Sequence, residues 1–319
     1  MNQHSPRLTV IMPAYNTALY IREAIDSILQ QTFTDFEFII INDGSKDNTL
    51  EVIKQYNDPR IRLIDQANKG LIDTLNEAIL LAQSDIIARM DADDICYPER
   101  LQVEFDFLTQ NPGYVLVGSQ ADIIDKDGNY LMPLIPIGHT HEEIKDRIDM
   151  KCPFIHPCVM FRKQAVIDAG LYPKNALTFE DHLLWKKLLN FGKVCNLPQI
   201  LLKARFNPES VTIDEKWRGE LFIRLRRDAL SRGYVTDEDA TQLKQLISSQ
   251  NLSSYKNASY YAMVGKKYLW NNPDGGKARE HFAQAIKHYP RHIEPYILYI
   301  FSFVPASLRV GIYNTLKKR

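Results

Sequence analysis

The chain has 319 residues, is 45% hydrophobic and 24% charged, and its 39 basic and 39 acidic side chains cancel to a net charge of zero. That length gives about two domains and enough buried surface to hold a core without disulfide or metal staples. The composition is that of a globular protein, and the lack of a basic excess argues against a nucleic-acid partner. Cys96, Cys152, Cys158 and Cys195 form no Cys-x-x-Cys pair and read as free thiols of a reducing cytoplasm. The polar stretch Met1 to Arg7 reads as no signal peptide, and no apolar run reaches the roughly 18 residues of a membrane span.

Leu8 to Met12 is an apolar run stopped by Pro13 and predicts a buried strand. Ile21, Ala24, Ile25 and Ile28 recur at helical spacing within Tyr20 to Gln30. Phe36 to Ile41 is a second strand, and Asp47, Asn48 or Thr49 can cap a short helix through Gln55. Ile61 to Ile64 is a third strand, and Gly70 to Ala82 a helix with Leu71, Leu75, Ala78, Ile79 and Ala82 on one side. Asp85 to Ala88 is a fourth strand. Solid apolar strands alternating with helices predict an α/β fold with a mostly parallel sheet covered on both faces.

In such sheets ligands bind beyond the carboxyl ends of the strands. Each of the four strands ends there in polar residues: Pro13-Ala14-Tyr15-Asn16, Asn42-Asp43-Gly44-Ser45, Gln66 to Gly70, and Asp91-Ala92-Asp93-Asp94. Each alone is a turn; together they predict a nucleotide-sized site. A Gly-x-Gly-x-x-Gly loop is missing after the first strand, and so is a loop ending Gly-Lys-Ser/Thr, which disfavours an ordinary NAD enzyme or P-loop nucleotidase. Three carboxylates in the four positions Asp91 to Asp94 repel one another unless a cation joins them. A hard divalent ion, Mg²⁺ or Mn²⁺, is the natural partner, since it takes oxygen ligands from one or two carboxylates plus phosphates. The plain alternative is a solvated acidic loop capping the next helix.

The segments Val10 to Asn16, Asn42-Asp43-Gly44-Ser45-x-Asp47-x-Thr49, Asn68-Lys69-Gly70 and Met90 to Asp94 together resemble the family 2 glycosyltransferases of the GT-A fold, in order, over about the first two thirds of the chain. The resemblance implies inverting transfer of a sugar from a nucleotide diphosphate, usually UDP, to an acceptor hydroxyl. It places Pro13, Tyr15 and Asn16 at the base and ribose, Asp43 on the base, Ala14, Lys69 and Ala92 near the nucleotide, Asp91 at the ribose or metal, and Asp93 on the metal.

Further along, Pro98 to Thr109 predicts a helix, Tyr114 to Ile124 a strand, and Asp125 to Asn129 a hairpin turn. His139 and His141 beside Glu142 and Glu143 fit no helical zinc spacing and read as a solvated loop entering a helix. Phe154 to Phe161 looks like a strand, with His156 a packed histidine bordering the acceptor side. Thr178 can cap a helix through Asn190, with Glu180 and Asp181 favoured in its first turn by the helix dipole. A sugar hydroxyl also needs a base, and Glu180-Asp181 is similar to the family's Glu-Asp motif; on that resemblance Asp181 is the base and Glu180 its support. Paired carboxylates also describe a glycosidase. That enzyme must protonate an alkoxide leaving group, whereas a diphosphate leaves with its charge taken up by a metal, so transfer fits better. Relatives often carry a histidine where Asn207 stands, which weakens a third metal contact.

From Asp214 onward helix formers dominate, so the domains are drawn as a catalytic 1–213 and a helical 214–319. Ala262, Gly265, Tyr268, Ala278, Phe282, Ala285 and Pro290 follow one tetratricopeptide-like hairpin. The apolar Ile297 to Val304 and the basic Lys317-Lys318-Arg319 leave two readings: a helix on a membrane interface, peripheral to the cytoplasmic face of the inner membrane, or a homodimer contact. The expected partners are a UDP-sugar and a saccharide or lipid-linked acceptor in surface polysaccharide or lipooligosaccharide assembly. The rivals are a nucleotide-sugar-binding or scaffold protein with weak catalysis, and a nucleotidyltransferase.

Overall fold

The computed structural model describes residues 5–208, 219–249, 253–271 and 273–309. They divide into two compact units: Met1–Ala121 with Leu134–Ala204 and Phe222–Lys244, and Asp122–Pro133 with Arg205–Leu221 and Gln245–Arg319. Helix-rich residues 222–244 therefore group with the first unit and the hairpin 122–133 with the second, where the sequence suggested one cut at 213.

The first unit is built on β1 (Leu8–Ala14), β2 (Phe36–Asp43), β3 (Ile61–Gln66) and β4 (Ile86–Arg89). β1 pairs in parallel with β2 and β4, and β2 with β3, giving the order β3-β2-β1-β4. Every residue of β2 and β4 is buried, as continuous apolar runs in a doubly covered sheet demand. The sheet continues through β8 (Met160–Arg162), β6 (Tyr114–Ile124), β9 (Lys193–Arg205) and β5 (Ile95–Cys96), with β7 (Tyr130–Leu134) on β6. Both β4 and β6 run antiparallel to β8. Because the chain passes from β1 outward to β3 and returns to β4 on the other side of β1, the topological switch lies between the ends of β1 and β4.

Helices α1 (Ile21–Leu29), α2 (Thr49–Ile53), α3 (Leu71–Leu81), α4 (Arg100–Gln110), α5 (His141–Arg147), α6 (Lys163–Asp168) and α7 (Glu180–Leu188) follow, then α8 (Gly219–Arg232) and α9 (Asp237–Ser249). α1 buries Ile21, Ala24, Ile25 and Ile28, the four positions the spacing predicts. In α3 the buried face holds Ile72, Leu75, Ala78 and Ile79, while Leu71 stays 39% exposed at the first turn. α2 has no side-chain cap from Asn48; instead the Asp47 carboxylate accepts from Thr49 N (3.1 Å) and Thr49 Oγ1 (2.5 Å). Thr140 and Glu143 form a capping box on α5, so the His139–Glu143 stretch is a loop entering a helix, as its spacing suggested.

Two local expectations fail. Phe154 to Phe161 is no continuous strand: His156–Cys158 is a single 3₁₀ turn and extended pairing starts at Met160. Pro157 has no N–H to give a ladder. Thr178 does not cap α7; it sits at φ 73°, and Phe179 occupies the cap position without a side-chain bond.

In the second unit α10 (Ser253–Trp270) and α11 (Gly275–His288) form the predicted hairpin. Gly265 faces the Phe282 ring so closely that a Cβ there would lie 2.7 Å from it. Asp274 caps α11 through the N–H groups of Gly276 and Lys277. The β6–β7 turn is tied to this hairpin: Asp125 accepts from Tyr268 Oη at 3.0 Å, and Lys126 N donates to Tyr260 Oη at 3.0 Å. α12 (Ile293–Phe301) closes the described chain. Asp214, from which helix formers dominate, and the basic run Lys317 to Arg319 lie outside the described residues.

Candidate active site

Three strand-end loops of the first unit are tied to one another. After β1, Asn16 adopts φ 52°, its N–H donates to Ser45 Oγ (3.0 Å), and its Oδ1 accepts from Lys46 N (2.7 Å). Thr17 N and Ala18 N donate to Thr49 Oγ1 (2.8 Å) and Asp47 Oδ2 (3.1 Å). Tyr15 keeps 48% of its surface exposed beside this zip. The β2 and β3 loops are joined by Asp43, only 3% exposed. Its carboxylate accepts from Lys69 N (2.8 Å), Gly70 N (2.9 Å) and Gln66 Nε2 (3.0 Å), at the start of α3. Asp43 therefore organises the loop by spending its oxygens on backbone N–H groups. Lys69 Nζ pairs with Glu77 at 2.7 Å.

Gly44 permits this crossing. It lies at φ +69°, and a Cβ there would sit 2.6 Å from Asn68 N. No ordinary side chain fits, and the left-handed backbone independently favours glycine.

The acidic run follows β4. Oxygens of Asp91, Asp93 and Asp94 lie within 4.8 Å of one another. This brings together the two predicted ligands, Asp91 and Asp93, and adds Asp94. Beneath them Arg89, 1% exposed, grips Asp91 with a two-pronged contact, Nη1 to Oδ2 at 2.6 Å and Nη2 to Oδ1 at 2.5 Å. Burial works against the Arg89 charge, but Asp91, Tyr172 and Asp94 outweigh it and keep the guanidinium protonated. A second buried cation, Arg100 of α4, donates from Nη2 to the Arg89 carbonyl (2.8 Å) and from Nε to Glu104 (3.2 Å). The turn carrying the acids is thus braced from below by two arginines.

The second acidic motif belongs to the same electrostatic centre. Tyr172 is fully buried, and its hydroxyl titrates well above the usual phenol range. Burial is the main cause; Arg89 opposes it, and Asp181, Glu180 and Asp91 reinforce it. One side chain therefore senses both motifs. His156 Nε2 lies 2.9 Å from Tyr172 Oη, and burial, then Arg89, holds this imidazole well below its ordinary pKa. Trp185 packs edge-on against Phe154, His156 and Tyr172 at 5.9–6.0 Å between ring centroids, forming an aromatic floor. Asp181 Oδ1 accepts from His182 N (2.6 Å), and its Oδ2 lies 3.6 Å from Cys152 Sγ. Burial first, and the Asp181 carboxylate second, push Glu180 up to about 7.

Sequence reasoning passed over Arg89, Tyr172 and Trp185. Arg89 stood next to the motif, and a charge inside an apolar strand was the available signal. Tyr172 and Trp185 carried none, because their role comes from contacts made by distant segments.

A parallel sheet with an acidic loop at its switch point fits the GT-A fold of glycosyltransferases. The family model "Glycosyl transferase family 2" matches residues 9–170, and the chain belongs to that family. That span contains the acidic run and ends before Glu180-Asp181. Similar proteins include the amylovoran biosynthesis glycosyltransferase AmsE of Erwinia amylovora, 31% identical over 201 residues that cover 62% of this chain and 74% of the relative. The putative glycosyltransferase EpsE of Bacillus subtilis is 34% identical over 211 residues, 63% of this chain and 73% of its own. Among solved structures, S. aureus TarS 1-349 in complex with UDP-GlcNAc aligns with a TM-score of 0.55 at 17% identity, covering 97% of this chain and 92% of that one. The mannosyltransferase PcManGT from Pyrobaculum calidifontis, in complex with GDP-Man and Mn²⁺, gives 0.55 at 15%, covering 99% and 89%. At these identities the structures speak for the fold.

Proposed function

We propose that this glycosyltransferase moves a sugar from a UDP-sugar to a hydroxyl of a saccharide or lipid-linked acceptor by single displacement with inversion, in the cytoplasm, during surface polysaccharide assembly. The observation that supports this best is the shared surroundings of the two acidic motifs: Tyr172, bonded to His156 and packed on Trp185 of the helix that carries Asp181, lies within electrostatic range of both Asp91 and Asp181. The relatives' names point to the same setting, AmsE being named for amylovoran biosynthesis.

The donor's base and ribose belong against Pro13, Ala14, Tyr15 and Asn16, where an exposed aromatic ring offers a stacking face. Asp43 shapes the Lys69–Gly70 edge of that pocket. The acidic cluster fits a divalent ion: hard carboxylate oxygens stand close enough to share one. Asp93 and Asp94 would hold Mn²⁺ or Mg²⁺, with Asp91 oriented by Arg89 toward the same point; when bound, the ion supplies positive charge for the diphosphate. Asp181 takes the proton of the acceptor hydroxyl as that oxygen forms its bond to the sugar's anomeric carbon. The bond from that carbon to the diphosphate breaks on the opposite face. Glu180, raised by burial, tends to keep its proton and supports Asp181 rather than competing with it.

The test is product analysis. With a UDP-sugar, an acceptor and Mn²⁺, the enzyme is expected to release UDP and glycosylated acceptor with inverted anomeric configuration, and EDTA or Asp93→Asn is expected to stop it. Release of pyrophosphate, or retained configuration, would overturn the proposal.

A further inference from the structure

We infer that α12 is a docking face for an anionic lipid surface. Its outer side carries Ile293, Tyr296, Ile297 and Ile300, exposed by 71%, 41%, 61% and 71%. At 100° per residue these four fall in one stripe about 100° wide. Phe303, 64% exposed, extends the apolar surface past the helix end. Isolated exposed apolar residues are ordinary, but an uninterrupted stripe of large ones is not.

The stripe is presented rigidly. On the inner side Pro295 and Ser302 are buried, Phe301 packs on Trp270 with ring centroids 5.6 Å apart, and Arg279 Nη1 donates to the Ser302 carbonyl at 3.3 Å. The sole acid of the helix, Glu294, lies off the stripe and is taken up by Lys266 at 2.6 Å. No negative charge therefore opposes an anionic partner there.

Charge selects the occupant. Between Lys287 and Leu308 the described chain carries Lys287 and Arg291 against the single acid Glu294, itself paired with Lys266. Lys287, in the last turn of α11, and Arg291, two residues before α12, are both exposed. A second copy of the same face would bring these like charges together, whereas a lipid surface of negative headgroups attracts them and accepts the apolar stripe. Spanning is excluded by size: nine residues reach about 14 Å, less than half the hydrocarbon thickness of roughly 30 Å.

The experiment is sedimentation of the full chain with vesicles of phosphatidylcholine alone and of phosphatidylcholine with phosphatidylglycerol in equal parts. Binding to the anionic vesicles only, weakened by salt, is expected. Ile297→Glu with Ile300→Glu should reduce it at least tenfold, with an unchanged melting curve because both positions are solvent-exposed. Neutralising Lys287 and Arg291 to Gln should cost on the order of twentyfold, about fivefold per charge. This pair changes only exposed side chains and decides the matter if the isoleucine variant misfolds. Failure to pellet with anionic vesicles, equal pelleting with neutral ones, or binding indifferent to both sets of changes would overturn the inference. So would a dimer in sedimentation velocity that the isoleucine variant dissolves. Since UDP binding is read separately, failure here leaves the transferase assignment standing.

Discussion

Replacing Asp181 by Asn is the sharpest probe of the chemistry, because the surroundings of this side chain accept an amide. The Asn oxygen can keep the bond from His182 N that Asp181 Oδ1 now accepts at 2.6 Å. The new NH₂ would face Cys152 Sγ, 3.6 Å away, where the second carboxylate oxygen now lies. One of two adjacent acids disappears, which relieves repulsion on Glu180, so stability should change by less than about 1 kcal/mol. Catalysis should change far more. A positioned base contributes about 10²–10⁴-fold, equivalent to roughly 3–5 kcal/mol of transition-state stabilisation. The assay is initial-rate UDP release with saturating donor and acceptor, alongside donor binding by calorimetry. We expect kcat to fall at least a hundredfold while the donor Kd moves less than about threefold. A variant retaining a tenth of the wild-type rate, or one whose loss is matched by lost donor affinity, would refute the base assignment.

Three further outcomes follow from named contacts. Arg89→Met removes a buried cation and frees Asp91, itself one-third exposed and able to hydrate; the fold should persist, while Mn²⁺-dependent UDP binding weakens at least tenfold, since charge-assisted hydrogen bonds are worth about 1.5–3 kcal/mol. Calorimetry showing unchanged binding would separate Arg89 from the site. Gly44→Ala drives a Cβ to within 2.6 Å of Asn68 N from a left-handed backbone, and should cost roughly 2–4 kcal/mol in urea unfolding; an unshifted midpoint would show that the loops separate freely. His182 is buried, donates to the Ile148 carbonyl, and is held down to about 4 by burial, then by Arg226 and Lys186, against the pull of Ile148 and Asp149. A base with a depressed folded pKa stabilises above its unfolded value of about 6.5 and loses that contribution as pH falls toward 4, by roughly 3 kcal/mol. Thermal unfolding should show this acid sensitivity in the wild type and a flatter profile in His182→Gln; parallel profiles would contradict it.

How far the chain discloses its own structure differs from residue to residue. β1 to β4, α1 and α3 are legible because burial on both faces of a parallel sheet forces solid apolar runs, and helix packing forces a 3.6-residue period; both signals are local. The β6 boundaries, Tyr114 and Ile124, are legible from the turn residues Asn111-Pro112-Gly113 and Asp125 to Asn129 that flank the strand. Local signals mislead where one residue vetoes the pattern, as Pro157 does, or where the backbone takes a left-handed turn, as at Thr178.

By itself, the sequence determined the α/β class, the order of the strands along the chain, and the presence of two acidic motifs, since each is written in neighbouring residues. Only the tertiary structure decided that Arg89 clamps Asp91, that Asp94 joins the acidic cluster, that Gly44 lets two loops cross, and that Tyr172, packed on Trp185, lies within electrostatic range of both motifs. These depend on side chains as far apart as Phe154 and Trp185, which meet only once the chain has folded. Long-range pairing in a close-packed interior leaves no periodic trace along the chain.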